Sequence, residues 1–217
     1  MYEDFVALAA SPRQNAINQS KRDAVRVKNA SNRFKKTVDA VFPSNANLER
    51  LFERAWSWGE ILGNSAARKQ AKALKLPKPK AVKADKVLHD SLKADLKRVL
   101  KEAKGISSDD SEWSGLLLRA KMVVEAATKM SATSALENAV RSKDTQKMWL
   151  TTSSVPCSHC KRLDGVVVDW GKQFPKDFKG IKPLKSYRNT LLEPPRHPNC
   201  GCIVVVVFKN PDNIIES

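Results

Sequence analysis

Two short clusters of cysteine and histidine in the last third of the chain have the spacing of metal ligands. The first is the C-x-x-C segment 157–160, and the second is segment 197–202, which reads His-Pro-Asn-Cys-Gly-Cys. A C-x-x-C turn supplies two thiolates from one tight loop, and Zn²⁺ binds four soft or borderline donors in a tetrahedron. The spacing therefore predicts one structural zinc site that joins the two clusters.

Five donors compete for the four positions of this predicted site: Cys157, Cys160, His197, Cys200 and Cys202. We prefer the set without Cys202. Cys202 is nevertheless an alternative to His197 or Cys200, because residues two apart in an extended strand face the same side. His159 lies inside the first turn, and we expect its ring to face solvent rather than to bind the metal.

Other uses of the four cysteines stay open at this point. Two disulfides are one alternative, although the first residues include Glu3 and Asp4 where a secretion signal carries positive charge. Buried thiols packed as small hydrophobic groups are another. A cysteine nucleophile with a histidine base is a third, but two close pairs fit ligation better than one activated thiol. We therefore expect no enzymatic activity and no catalytic residue.

The charge of the chain is strongly positive. Lysine and arginine total 39 against 23 acidic residues, which gives a net charge of +16. Segment 13–36 holds eight basic residues and one acid, and segment 68–104 holds thirteen and four. Such an excess favours non-specific contact with phosphates or with an acidic protein surface, the alternative being a solvated helix face. The longest apolar run, 202–208, is far shorter than the roughly 20 residues of a membrane span.

The elements that precede the cysteines are predicted to be long helices. Apolar residues recur at helical spacing, and prolines, serines and glycines mark the ends. The predicted helices are 11–41, 44–76, 82–104, 111–130 and 133–147, with the last two separated at Ser131.

The first two predicted helices carry narrow apolar stripes, which require a partner. The stripes are Ile17, Val27, Phe34 and Val41 on the first helix, and Leu48, Leu51, Trp58 and Leu62 on the second. Because Pro43 separates the helices, we expect the stripes to pack against each other as a hairpin. Trp56 lies one step off the stripe and is expected to anchor a partner protein.

The sequence pattern changes near Trp149, where proline and glycine become frequent and helical periodicity ends. Residues 163–165, Leu-Asp-Gly, predict a turn that leads into a strand at 166–168, and a second strand is predicted at 203–207. A long loop is predicted between them, over 169–195. The predicted fold class is α+β, with a basic helical region over 1–146 and a small zinc-stapled α+β or β-rich module over 147–217.

The C-terminal module resembles the Mu F-like phage head morphogenesis family, the minor capsid proteins of tailed bacteriophages. The resemblance covers about the last 70 residues and depends on an ordered set of motifs. These are Trp-Leu-Thr-Thr at 149–152, C-x-x-C at 157–160, Leu-Asp-Gly at 163–165 and Pro-Pro-Arg-His-Pro-Asn-Cys-Gly-Cys at 194–202.

The resemblance implies a virion structural protein, present in few copies and needed for head assembly or packaging. Its expected partners are the portal protein, the major capsid protein or both, together with packaged DNA along the basic helices. We expect it in the virion head after assembly in the host cytoplasm, with no membrane and no small-molecule substrate. The alternative function is a zinc-containing protein that binds nucleic acid without sequence preference.

Overall fold

The computed structural model describes residues 12–141, 145–151, 155–175 and 202–208. Four long helices come first: α1 (Pro12–Val41), α2 (Asn45–Ala73), α3 (Lys86–Glu102) and α4 (Ser111–Val140). The remaining elements are β1 (Thr145–Leu150), α5 (Ser158–Leu163), β2 (Val167–Asp169) and β3 (Ile203–Phe208). The strands form an antiparallel sheet in the order β2-β1-β3. The α+β class predicted from the sequence is therefore confirmed.

The first three predicted helices are confirmed to within a few residues, but the division of the fourth was wrong. Residues 111–140 form one continuous helix through Ser131. The Ser131 side chain is buried, and its Oγ donates to the backbone oxygen of Thr128 at 3.3 Å, so the hydroxyl is satisfied without ending the helix. Residues 145–147 were predicted to end a helix and instead begin β1.

The helices α2 and α4 cross at very short range. A Cβ atom built on Gly59 would lie 1.9 Å from Ser131 Oγ, and one built on Gly63 would lie 2.2 Å from the Ala132 backbone oxygen. No side chain fits in these gaps, so the crossing requires glycine on α2 and small residues on α4. This contact explains why Ser131 lies inside a helix.

The predicted pairing of α1 with α2 is incomplete, because α4 packs against both helices. More of the α2 surface is therefore buried than the predicted apolar stripe alone. The buried part includes Trp56, which is 6% exposed. The Trp56 ring lies 5.0 Å from the ring of His89 on α3. Trp58, which we placed in the stripe, is 48% exposed. The prediction that Trp56 anchors a partner was thus wrong, since Trp56 is a core residue.

The sheet packs against the helices through β3. Val206 shares an apolar cluster with Ala16, Ala66 and Leu136, and Val205 and Val207 lie with Ile17 on the opposite face. The centre strand β1 spans the boundary predicted between residues 146 and 147. None of the helices in the described ranges is long and apolar enough to cross a membrane.

Candidate functional site

The C-x-x-C segment forms a tight turn at the start of α5. Cys157 is the N-cap residue of this short helix, and its Sγ accepts a hydrogen bond from the backbone N–H of Cys160 at 3.5 Å. The backbone N–H of Lys161 donates to the Cys157 carbonyl at 2.9 Å, which closes the same turn. A backbone amide therefore points at a cysteine sulfur, as expected for a C-x-x-C metal turn.

Cys202 comes from a distant part of the chain and lies in the same apolar cluster as this turn. It directly precedes β3 and is buried, as is Cys160. The other buried members of this cluster are Trp149, Leu163, Phe174 and Val204. Cys157 is partly buried and packs against the cluster. No disulfide links any two of Cys157, Cys160 and Cys202. The fold thus brings three of the five predicted zinc donors into one region.

The zinc site itself stays a prediction. In the part of the chain that the structure describes, no three histidine, cysteine or acidic side chains form a group that could hold a metal. The predicted donors His197 and Cys200 lie outside the described residues, as does most of the loop predicted over 169–195. Cys157 and Cys160 match the chemistry of zinc ligands, since both are thiols on one hydrogen-bonded turn.

The prediction that the His159 ring faces solvent was wrong, whereas the expectation that it does not bind a metal stays a prediction. Its side chain is 3% exposed, because α5 packs with His159, Cys160 and Leu163 on its buried face. The basic residues that follow, Lys161 and Arg162, are exposed. A six-residue helix has no periodicity that sequence inspection could detect, so the side on which His159 lies was not predictable.

The Leu-Asp-Gly segment fastens α5 to the sheet, which confirms the predicted turn. Leu163 is fully buried, and Asp164 Oδ1 accepts a hydrogen bond from the Thr151 backbone N–H at 2.7 Å. Gly165 has a φ of 79°, a conformation that glycine adopts without strain, and its N–H donates to the Trp149 carbonyl at 2.9 Å. All three residues therefore have structural roles beside the cysteine turn.

Two ionisable residues at the junction of α4 and the sheet were not singled out from the sequence: Lys147, which is buried, and Glu137, which is partly exposed but has one carboxylate oxygen buried. Lys147 on β1 is 3% exposed, and its Nζ lies 5.4 Å from the centre of the Phe174 ring. Burial raises the pKa of Glu137 to about 7, against the opposing effect of the Lys147 and Arg141 charges. Burial likewise lowers the pKa of Lys147, against the effect of Glu137. Residues 145–147 were predicted as the end of a helix, so no pattern in the sequence marked Lys147 as a buried strand residue.

Part of the basic charge is neutralised inside the fold. Ion pairs join cations of segments 13–36 and 68–104 to acids on the same or neighbouring elements: Arg26–Asp23 at 3.4 Å, Lys35–Glu125 at 2.9 Å, Lys69–Asp23 at 2.9 Å, Lys83–Glu60 at 3.3 Å, Lys86–Asp90, Lys93–Glu53 at 2.6 Å and Arg98–Asp95 at 3.6 Å. The prediction that both stretches bind polyanions therefore applies only to the cations outside these pairs.

Comparison with known protein families, curated proteins and solved structures gives no match. The functional argument therefore depends on the residues and geometry of this chain.

Proposed function

We propose that the chain is a minor head protein of a tailed phage. In this structural role, a module closed by zinc and formed by β1, α5, β2 and β3 positions the basic helical body, formed by α1–α4, at the portal or capsid. One observation carries the proposal. The described residues that bear the resemblance to the Mu F-like family form one packed unit: Trp149, Cys160, Leu163 and Cys202 share a cluster that Cys157 borders. Hydrogen bonds from Gly165 to Trp149 and from Thr151 to Asp164 attach this unit to β1 and to the residue that follows the strand.

The burial of Cys160 and Cys202 supports a structural role for these two thiols over a catalytic one. A cysteine nucleophile needs a thiolate that substrate can reach, whereas buried cysteines in apolar surroundings are unreactive. Cys160 and Cys202 are both buried beside Trp149. The chain is therefore proposed to be a non-enzymatic assembly protein.

Zinc is proposed as the structural cofactor of the module. Cys157 and Cys160 would supply two ligands, and two of His197, Cys200 and Cys202 would supply the others. When bound, the metal contributes free energy of folding directly, because the donors are brought together only in the folded chain. The net charge of the whole chain is +16. A basic helical body suits an anionic environment such as packaged DNA or an acidic capsid face.

Assembly of heads with and without the intact module tests the proposal. The chain would be co-expressed with the portal and major capsid proteins of its phage, and purified heads would be analysed by quantitative mass spectrometry. We expect the unmodified chain in heads at a few copies and the Cys157→Ser variant largely lost from them. Ser158→Ala, an exposed neighbour on the same turn, is the matched control and should be retained. Absence of the unmodified chain from purified heads would overturn the proposal.

A further inference from the structure

We propose that the segment joining α2 to α3 is a preformed binding surface for the phosphate backbone of duplex DNA. We name residues 75–85 the basic strap. The inference deepens the proposed function, on which it rests, by assigning the DNA contact to one place on the molecule. Four observations support it: unpaired charge, a fixed backbone, an adjoining recess and the residue types exposed.

Most of the charge around the basic strap is not compensated, although Lys83 pairs with Glu60 at 3.3 Å. Five exposed cations on the strap and the preceding turns of α2 have no acidic partner among the described residues: Arg68, Lys72, Lys75, Lys78 and Lys80. Asp85 is the one acid in segment 68–86, and its carboxylate accepts from the Val87 backbone N–H at 2.7 Å as the cap of α3. The surface therefore presents positive charge that the fold itself does not use.

Side chains of α2 and α4 hold the backbone of the second half of the basic strap, residues 82–85. Asn64 bonds to both backbone groups of Val82, accepting from its N–H at 2.9 Å and donating to its carbonyl at 2.8 Å. Three further side chains bond to the backbone of the strap. Glu60 accepts from the Ala84 N–H at 3.0 Å, Ser134 accepts from the Asp85 N–H at 2.8 Å, and Asn138 donates to the Lys83 carbonyl at 3.1 Å. Pro77 and Pro79 restrict the remainder. The strap is thus anchored beside its cations and stiffened by proline next to Lys78 and Lys80, so binding requires less ordering of the main chain than in a flexible loop.

A recess of about 500 Å³ lies between α2 and the basic strap. Its lining includes Ser65 and Arg68 from α2, together with Glu60 and Lys83, whose side chains form an ion pair at 3.3 Å. Arg68 therefore borders a concave surface rather than a flat one, and the Lys83 charge offsets that of Glu60. A guanidinium group in this position can donate two hydrogen bonds to phosphate oxygens.

The types of residue exposed favour nucleic acid over an acidic protein. Lysine accounts for four of the five unpartnered cations, and lysine is depleted from the cores of protein–protein interfaces. An ammonium group acts as a point charge that pairs with phosphate without fixed geometry. Duplex DNA carries a negative charge for about every 1.7 Å of its axis, so several lysines can be neutralised together.

Replacing matched sets of three lysines with neutral residues tests whether duplex DNA binds at the basic strap. The full chain would be titrated with a mixed-sequence duplex of about two helical turns, roughly 20 base pairs, at several salt concentrations, with fluorescence anisotropy as the readout. The strap variant replaces Lys75, Lys78 and Lys80 with Gln. The control replaces Lys97, Lys101 and Lys104 at the end of α3 with Gln, which removes the same charge from exposed positions.

We expect the strap variant to bind at least about 10-fold more weakly and to lose about 2.7 from the slope of log affinity against log salt. The control should lose much less of both. An equal loss in the two variants would overturn the proposal, because the binding would then depend on total charge. Binding to polyglutamate but not to duplex DNA would overturn it in favour of an acidic protein partner. Either result leaves the incorporation of the chain into heads as a separate question.

The variant Asn64→Ala tests the fixed backbone without changing charge. It releases Val82 and should weaken DNA binding several-fold while circular dichroism shows unchanged helix content. Unchanged DNA affinity together with a mobile strap, measured by hydrogen exchange, would contradict the role of preorganisation.

Discussion

The helical body, formed by α1–α4, and the cysteine module, formed by β1, α5, β2 and β3, are stabilised by different means. The largest core cluster of the helical body contains twenty buried residues, nearly all of them aliphatic or aromatic. The cluster around the cysteines contains six among the described residues, and two of these are Cys160 and Cys202. A core of the first size can close by hydrophobic burial, whereas small cores are usually completed by metal ions or disulfides. The comparison therefore predicts that the two regions respond differently to mutation.

The largest effect is expected where α2 and α4 cross in the helical body. In Gly63→Leu the new Cβ would lie only 2.2 Å from the Ala132 backbone oxygen, so the two helices must separate to admit the side chain. We expect a loss of more than about 4 kcal/mol in the free energy of unfolding, measured by urea denaturation.

Gly115→Ala on the exposed face of α4 is the control for this substitution. A Cβ at Gly115 has no neighbour within 4 Å, so alanine should stabilise the helix by about 0.5–1 kcal/mol. If Gly63→Leu were as stable as the unmodified chain, the close crossing would be wrong.

A smaller but still large effect is expected at the tryptophan pair of α2. Trp56→Ala removes a buried ring that contacts Phe52 and His89 and should cost about 3–5 kcal/mol. Trp58→Ala, two residues away and half exposed, should change stability by less than about 1 kcal/mol. Thermal or urea unfolding of the two variants measures this difference, and equal losses would contradict the placement of α2.

The next effect depends on pH and lies at the junction between the two regions. Because the pKa of Glu137 is raised from 4.5 to about 7, the folded chain binds more protons than the unfolded chain between these values. This carboxyl therefore lowers stability as the pH rises from about 4.5 to 7. Glu137→Gln removes the titration and should gain up to about 3 kcal/mol at about pH 8 while matching the unmodified chain near about pH 4.

Denaturation of Glu137→Gln and of Glu112→Gln across this pH range measures the effect. Glu112 is exposed in the first turn of α4, and its variant should follow the pH profile of the unmodified chain to within about 1 kcal/mol. If the pH profiles of Glu137→Gln and the unmodified chain were parallel, the pKa of Glu137 would not be raised in the folded chain.

Sequence inspection predicted most of the helical body, because long periodic stretches with proline breaks define helix ends. It failed where tertiary packing decided the outcome. Ser131 was taken as a break because serine is common at helix ends, and only the crossing at Gly59 and Gly63 shows why a small residue belongs there. Trp56 and Trp58 could not be distinguished without knowing that three helices cover α2.

In the cysteine module, spacing identified Cys157, Cys160 and Cys202, which the fold then places in one cluster. The inward position of His159 and the burial of Lys147 were not predictable, since α5 is short and β1 is covered on both faces. Alternation of polar and apolar residues disappears in such a strand.

Metal analysis of the purified chain, combined with thiol titration, tests the central claim most directly. We expect about one zinc per chain, little or none in Cys157→Ser, and nearly unchanged helix content in that variant because α1–α4 pack through their own core. Ser158→Ala should keep the metal. Cysteines that are fully oxidised, or fully reduced with no metal in the unmodified chain, would contradict the account.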